Sequence, residues 1–115
     1  MPPSKRVKRQ IRELAAKVEE MELRDALQPL AAAFKQWEAG DVDSFDLKDR
    51  IHRFHQGPAR EIYVRFATPH LEPHVAYAIA AGQLDRSEVP AEVLAELEHL
   101  IEFATRSAEE EQPEI

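Results

Sequence analysis

Apolar residues in the first forty positions recur at the three- and four-residue intervals that are typical of an α-helix. They form two stripes, the first of Val7, Ile11, Leu14, Val18 and Met21 and the second of Leu23, Leu27, Leu30, Phe34 and Trp37. Five residues separate Val18 from Leu23, so one straight helix cannot keep both stripes on the same face. The pattern predicts two helices with a break near Glu22 to Asp25, where Asp25 caps the second helix. A single kinked helix is the alternative.

Turn-forming residues divide the next part of the chain into further predicted helices. Gly40 ends the helix that carries the second stripe, and Asp43 is placed to cap the next one. Gly57-Pro58 interrupts this helix, whose predicted inward side chains are Leu47, Ile51 and Phe54. A short helix that begins at Pro58 follows, with a predicted inward set of Ala59, Ile62 and Phe66.

The last part of the chain adds two more helices. Residues 68–73 contain two prolines and form a predicted turn, after which a small-residue helix over 74–81 ends at Gly82. Ser87 is the predicted cap of a final helix over 90–105. No stretch alternates between apolar and polar residues, so the predicted fold is all-α, a small antiparallel bundle of five to six helices. Residues 1–105 form a single predicted domain, and residues 106–115 an acidic, disordered tail.

Composition excludes several classes of protein. The 115 residues include no cysteine, which rules out a disulfide-stapled fold, a thiolate zinc site and a cysteine nucleophile. No apolar run approaches the roughly 20 residues that a helix needs to cross a bilayer. We therefore expect a soluble, cytoplasmic protein with no membrane contact.

Motifs for covalent and phosphate chemistry are missing from the sequence. There is no Gly-x-Ser-x-Gly nucleophile motif, and the three glycines form no Gly-x-Gly loop that could cradle a phosphate. The sequence accordingly predicts no catalytic residue and no cofactor.

Metal binding is an alternative that depends on one helical segment. Two histidines, His52 and His55, are three residues apart, and Asp49 is three residues before His52. A helix brings such residues to neighbouring positions, where two of the three side chains could share one metal ion. A catalytic metal needs about three protein ligands, so a further donor from another segment would be required.

A second candidate site is the corner beside Gly57-Pro58. This junction concentrates polar groups of different chemistry in a few residues, His55, Arg60 and Glu61. If the chain binds a ligand or a partner, this corner is the predicted place. Core packing is the expectation for Phe34 and Trp37, whereas an exposed Trp37 would indicate an anchor for a protein interface.

Charge is distributed unevenly along the chain. The net charge is −7, yet residues 1–12 carry no acidic side chain and five basic ones, Lys5, Arg6, Lys8, Arg9 and Arg12. One interpretation is that they dock an acidic protein. The other is that they contact nucleic acid, which the acidic remainder of the chain disfavours.

Together these observations favour a small regulatory or adaptor-like module that acts through protein–protein contacts. The predicted partner is another protein or a second copy of the chain, because coiled-coil-like stripes can pair with their own copies. A metal-dependent enzyme and a nucleic-acid-binding protein are the competing hypotheses.

Overall fold

The computed structural model describes residues 3–111. Five α-helices follow one another: α1 (Lys5–Glu38), α2 (Ser44–Phe54), α3 (Arg60–Phe66), α4 (Glu72–Ala80) and α5 (Ala91–Glu111). A π-helical segment (His55–Ala59) joins α2 to α3 without a break, and a 3₁₀ turn (Arg86–Glu88) precedes α5. The all-α prediction is confirmed. Because α2, the π-helical segment and α3 form one continuous helix, the described residues contain four long helices, and the predicted number of five to six is not matched exactly. No described helix is long and apolar enough to span a membrane.

Helix α1 runs through the position where the sequence predicted a break. The prediction of two helices is wrong, and Asp25 lies inside α1 and caps nothing. The step between the two stripes has a different cause. The described chain divides into two compact units: unit 1 contains residues 3–18 and 69–111, and unit 2 contains residues 19–68. The step falls at this division. The first four residues of the first stripe lie in unit 1, whereas Met21 and the whole second stripe lie in unit 2. Helix α1 therefore has no need to keep both stripes on one face.

Unit 1 holds most of the apolar core. Its fully buried large side chains come from α1, from the loop after α4, and from α4 and α5, which pack against each other. Two ion pairs cross within the unit, from Arg6 to Glu92 at 3.0 Å and from Lys17 to Glu88 at 2.5 Å. Among the described residues, the buried side chains larger than alanine in this unit are Val7, Ile11, Leu14, Val18, Val75, Ile79, Leu84, Val89, Val93, Leu97 and Ile101.

Unit 2 buries far less. Among its described residues only Ala33, Leu47 and Ile62 are buried apolar side chains. Phe34 and Trp37 are each 41% exposed, so the prediction that they pack in a core is wrong. The expectation of an inward Ile51 is wrong as well, since this side chain is exposed. Residues 19–68 supply too few facing apolar residues to cover the second stripe.

Two glycines end helices as the sequence predicted. Gly40 follows α1 with a φ of +84°, and Gly82 follows α4 with a φ of +81°. At the first of these, Asp41 N donates to the Gln36 carbonyl oxygen and Gly40 N donates to that of Trp37. These two bonds define a Schellman motif, which satisfies carbonyls that the helix leaves without partners.

Replacing glycine by alanine should have opposite effects at Gly40 and Gly57. An alanine Cβ meets no atom within 4 Å at either position, so only the backbone differs. Gly40→Ala forces a side chain into the left-handed region and should lower the free energy of unfolding by about 1–2 kcal/mol. Gly57→Ala, inside a helical segment, should raise it by about 0.5–1 kcal/mol. Urea unfolding of both variants checks this, and effects of the same sign would contradict it.

Gly57-Pro58 does not interrupt the helix. The backbone continues through the π-helical segment into α3, which begins at Arg60, two residues after Pro58. Proline has no N–H to donate and its ring crowds the preceding turn, so a local change in hydrogen-bond spacing accommodates it. The predicted inward set of α3 is confirmed for Ile62, which is buried, while Ala59 and Phe66 are half-buried.

The start and the end of α5 differ from the prediction. The observed cap is Asp85 and not Ser87, and it belongs to the 3₁₀ turn before α5. Asp85 accepts 2.9 Å hydrogen bonds from Ser87 N and Ser87 Oγ. At the other end, residues 106–111 continue the helix six residues beyond the predicted limit. Residues 112–115 of the predicted tail lie outside the described part of the chain. The single-domain prediction for residues 1–105 stays a prediction.

Unfolding should depend on pH through the Asp85 cap. The hydrogen bonds from the backbone N–H and the hydroxyl of Ser87 lower the pKa of Asp85 from its ordinary value of 3.8. A carboxylate with a lowered folded pKa stabilises the fold above pH 3.8 and loses this effect as the pH falls through the folded value. The urea midpoint of wild type should therefore be higher than that of Asp85→Ala, and this difference should be larger at about pH 7 than at about pH 2.5. An equal difference at both pH values would contradict this expectation.

Candidate interaction surface

A groove of about 450 Å³ lies in unit 2 between the second half of α1 and α2. The side of the groove that α1 forms is apolar. The side that α2 forms carries two arginines, an aspartate and the ring of a phenylalanine. Such a combination of apolar surface with a few polar groups is typical of binding sites. The lining residues are Ala26, Pro29, Leu30, Ala33, Asp46, Arg50, Arg53, Phe54 and Pro58.

The two arginines of the groove are held in different ways. Arg50 donates to Asp46 Oδ2 at 3.2 Å and to Gln36 Oε1 at 3.3 Å, which fixes its guanidinium between α1 and α2. Arg53 donates through Nε to the Asp49 carbonyl oxygen at 3.4 Å. Within the described part of unit 2, no carboxylate forms an ion pair with Arg53, so its positive charge is available to a ligand.

Trp37 and its neighbours form an exposed aromatic cluster at the end of α1. The indole Nε1 donates to Ser44 Oγ at 2.9 Å, and the ring meets Phe34 edge to face with 6.4 Å between centroids. Phe45, the second residue of α2, is 76% exposed. An aromatic side chain that one hydrogen bond orients, and whose ring is otherwise exposed, is a common anchor of protein interfaces. The observed exposure thus matches the alternative that the sequence left open for Trp37.

The predicted corner beside Gly57-Pro58 forms part of the same unit. His55 and Arg60 line one shallow pocket, and Arg60 and Glu61 line the next one along α3. The structure thus brings these three residues to adjoining surfaces, while Trp37 lines neither pocket. Arg65, beside them, is held by both carboxylate oxygens of Glu22 at 3.2 Å.

Tyr63 and Val64 are surface residues that the sequence analysis missed. Both are largely exposed on α3, and each lines one of the shallow pockets. A signal was available in the sequence. Once Ile62 and Phe66 are assigned inward, the helical period turns Tyr63 and Val64 outward. Large apolar side chains on an outward face indicate a contact surface.

The candidate metal ligands do not form a cluster of sufficient size. Asp49, His52 and His55 are all exposed on α2 and the π-helical segment. Among residues 3–111, no group of three or more histidine, aspartate or glutamate side chains is placed to hold a metal ion. The metal-site hypothesis therefore gains no support from the geometry.

The basic N-terminal residues all lie exposed on α1 in unit 1. Two of them are used internally, because Arg6 pairs with Glu92 at 3.0 Å and Arg9 with Glu13 at 3.8 Å. Within the described residues, Lys5, Lys8 and Arg12 form no ion pair. Part of the positive charge is thus not engaged in ion pairs within the described residues.

Comparison of the chain with models of known protein families, with curated proteins and with solved structures gave no match.

Proposed function

We propose that this chain is a small helical module that acts by protein–protein contact, with unit 2 as its binding surface. One observation carries the proposal. Most of the large apolar side chains that are exposed in the described chain lie in unit 2, which buries little of its own. Exposed apolar side chains that are concentrated in one part of a protein indicate an interaction surface more strongly than scattered ones do. The exposed apolar residues of unit 2 are Leu27, Phe34, Trp37, Phe45, Ile51, Tyr63 and Val64.

The partner that suits this surface is a helical segment with apolar and acidic residues. Apolar residues of such a segment would cover the aromatic cluster and the floor of the groove, as in other complexes in which a helix lies in a groove. Its carboxylates would pair with Arg53 and Arg60, neither of which forms an ion pair within the described chain. Lys48, also exposed on α2, adds a third positive charge on this unit.

The basic start of α1 would assist association rather than supply most of the affinity. Exposed charges raise the rate of encounter and lose this effect as salt screens them. We expect the association rate to fall with ionic strength, and to fall less in a variant with Lys5, Lys8 and Arg12 replaced by glutamine. Equal salt dependence in both proteins would contradict this part of the proposal.

We extend the proposal to two finer features. Helices that neighbour each other in sequence and in the same unit run antiparallel, because short connections favour that arrangement. The module acts in the cytoplasm. A chain without cysteine has no disulfide that the reducing environment there could break.

Two tyrosine variants test the binding surface. Tyr63 in unit 2 and Tyr77 in unit 1 are 68% and 59% exposed, which makes them a matched pair. The full chain is immobilised and exposed to a lysate of its source cells, and captured protein is quantified by mass spectrometry. Tyr63→Ser should reduce capture by about tenfold or more, as loss of an aromatic anchor does, while Tyr77→Ser should leave it unchanged.

Two outcomes of this experiment would contradict the proposal. One is capture by wild type that does not exceed capture by the bare support. The other is a loss that is equal in the two variants or larger in Tyr77→Ser. Circular dichroism of each variant establishes beforehand that its helix content matches that of wild type.

A further inference from the structure

The second stripe of α1 is an apolar seam that the described part of unit 2 leaves partly uncovered. The seam consists of Leu23, Leu27, Leu30, Phe34 and Trp37, at the alternating four- and three-residue spacing of core positions in a coiled coil. Leu27, Phe34 and Trp37 are exposed, and the other two are half-buried. The seam extends over about 20 Å of helix. A helix with this pattern is suited to receive a second helix.

The two edges of the seam differ. Ala26 and Ala33 form one edge, which adjoins the groove beside α2, and Ala33 is fully buried there. We call this the covered edge. The opposite, open edge consists of Arg24, Ala31 and Glu38, all of them exposed. A second helix therefore has access from the open edge alone.

We infer that a second copy of this chain occupies the seam, with the two α1 helices antiparallel. The residues of the open edge are complementary to themselves in this orientation. In an antiparallel pair, Arg24 of one copy faces Glu38 of the second copy, and the two-fold axis repeats this contact. Ala31 meets Ala31 of the second copy near the axis, where a small residue permits close approach.

The same alignment pairs the seam residues in layers. Leu27 of one copy faces Trp37 of the second copy, and Leu30 faces Phe34. A parallel pair is unfavourable because it places the open edge of one helix against the covered edge of the other, where α2 obstructs approach. The antiparallel pair brings the two open edges together. This inference rests on the proposed interaction role of unit 2 and names a partner for one part of its surface.

Arg24 is already oriented along the open edge. Its Nη2 donates to Glu20 Oε1 at 2.7 Å, one turn earlier on α1. The guanidinium has five N–H donors, so donors remain for Glu38 of the second copy. A contact of about two heptads is short, and we therefore expect a reversible dimer whose population depends on concentration.

Sedimentation equilibrium of the full chain tests the inference. Loading from about 1 µM to about 1 mM covers the range of weak dissociation constants. The mass of wild type should rise from 13.2 kDa toward twice that value. Leu27→Glu should remain monomeric throughout, because it places a carboxylate in the apolar seam. Asp25→Lys, a charge reversal at an exposed position on the face of α1 opposite the seam, should dimerise like wild type.

Charge exchange tests the antiparallel pairing itself. Arg24→Glu and Glu38→Arg should each raise the dissociation constant, by about tenfold or more, because each places like charges opposite one another. The double variant should regain most of the lost affinity. This recovery cannot come from the bond between Arg24 and Glu20, since the double variant lacks it.

The possible outcomes separate this inference from the proposed function. A monomer over the whole loading range overturns the dimer, and capture of another protein that depends on Tyr63 would still support the interaction role. A dimer that persists in Leu27→Glu, or one that charge exchange fails to restore, overturns the antiparallel seam.

Discussion

Leu97→Ala is expected to lower the free energy of unfolding by about 2–5 kcal/mol, the range for removal of a large buried aliphatic side chain. Leu97 lies on α5 in unit 1 and is 1% exposed. Its loss removes apolar burial and leaves a cavity that packed neighbours fill only in part. This is a large fraction of the stability of a small domain.

Urea unfolding followed by circular dichroism at 222 nm measures the change. Leu100→Ala, on the same helix but at a position that is 37% exposed, is the control and should cost clearly less than Leu97→Ala. The helix propensities of the two variants are the same, so the difference between them isolates burial. Equal effects would show that unit 1 does not contain the core described above.

Pro29→Ala should raise the free energy of unfolding by about 1–3 kcal/mol. Pro29 lies in the interior of α1, where it provides no N–H for the carbonyl of Asp25. Alanine restores that donor and has the highest helix propensity. The side chain is exposed, so its replacement removes little apolar burial. The gain is smaller than the full propensity difference because proline also restricts the unfolded chain.

Pro73→Ala provides the control for this effect. Pro73 lies in the first turn of α4, where the helix has no use for its N–H, so its replacement should yield no comparable gain. The same urea titration measures both variants. A Pro29→Ala protein no more stable than wild type would contradict the destabilising effect expected of a proline inside α1.

Local signals in the sequence predicted much of the fold. Gly40 and Gly82 end their helices because only glycine adopts a left-handed backbone at little cost, and this preference acts within a few residues. Asp43 caps α2 for a similarly local reason, since its Oδ1 accepts from Asp46 N at 2.8 Å. Such features depend on neighbouring residues alone.

The continuity of α1 and the exposure of its second stripe depend on tertiary packing, which the sequence pattern does not reveal. The five-residue step between Val18 and Leu23 indicated that the apolar face of the helix changes there. Two structures produce the same step: a broken helix, and a continuous helix shared by two compact units. The exposure of Phe34 and Trp37 depends on how many apolar residues face them from α2 and α3. Helical periodicity identifies a stripe, but it does not reveal whether the rest of the chain covers it.

The candidate site was predicted in part for the same reason. His55, Arg60 and Glu61 lie close together in sequence, so they occupy adjoining surfaces of one short segment. The groove, by contrast, joins Ala26 to Phe54 and Pro58 across about thirty residues of sequence. Contacts of that range depend on packing, which helical periods do not specify.

Site-specific photo-crosslinking in cells tests whether unit 2 carries the contact surface. A benzophenone amino acid replaces Phe45 in one protein and Phe103 in another, two exposed phenylalanines in unit 2 and unit 1. We predict a protein adduct, to a partner or to a second copy, from position 45 and none from position 103. Adducts from position 103 alone, or equal adducts from both positions, would contradict the claim.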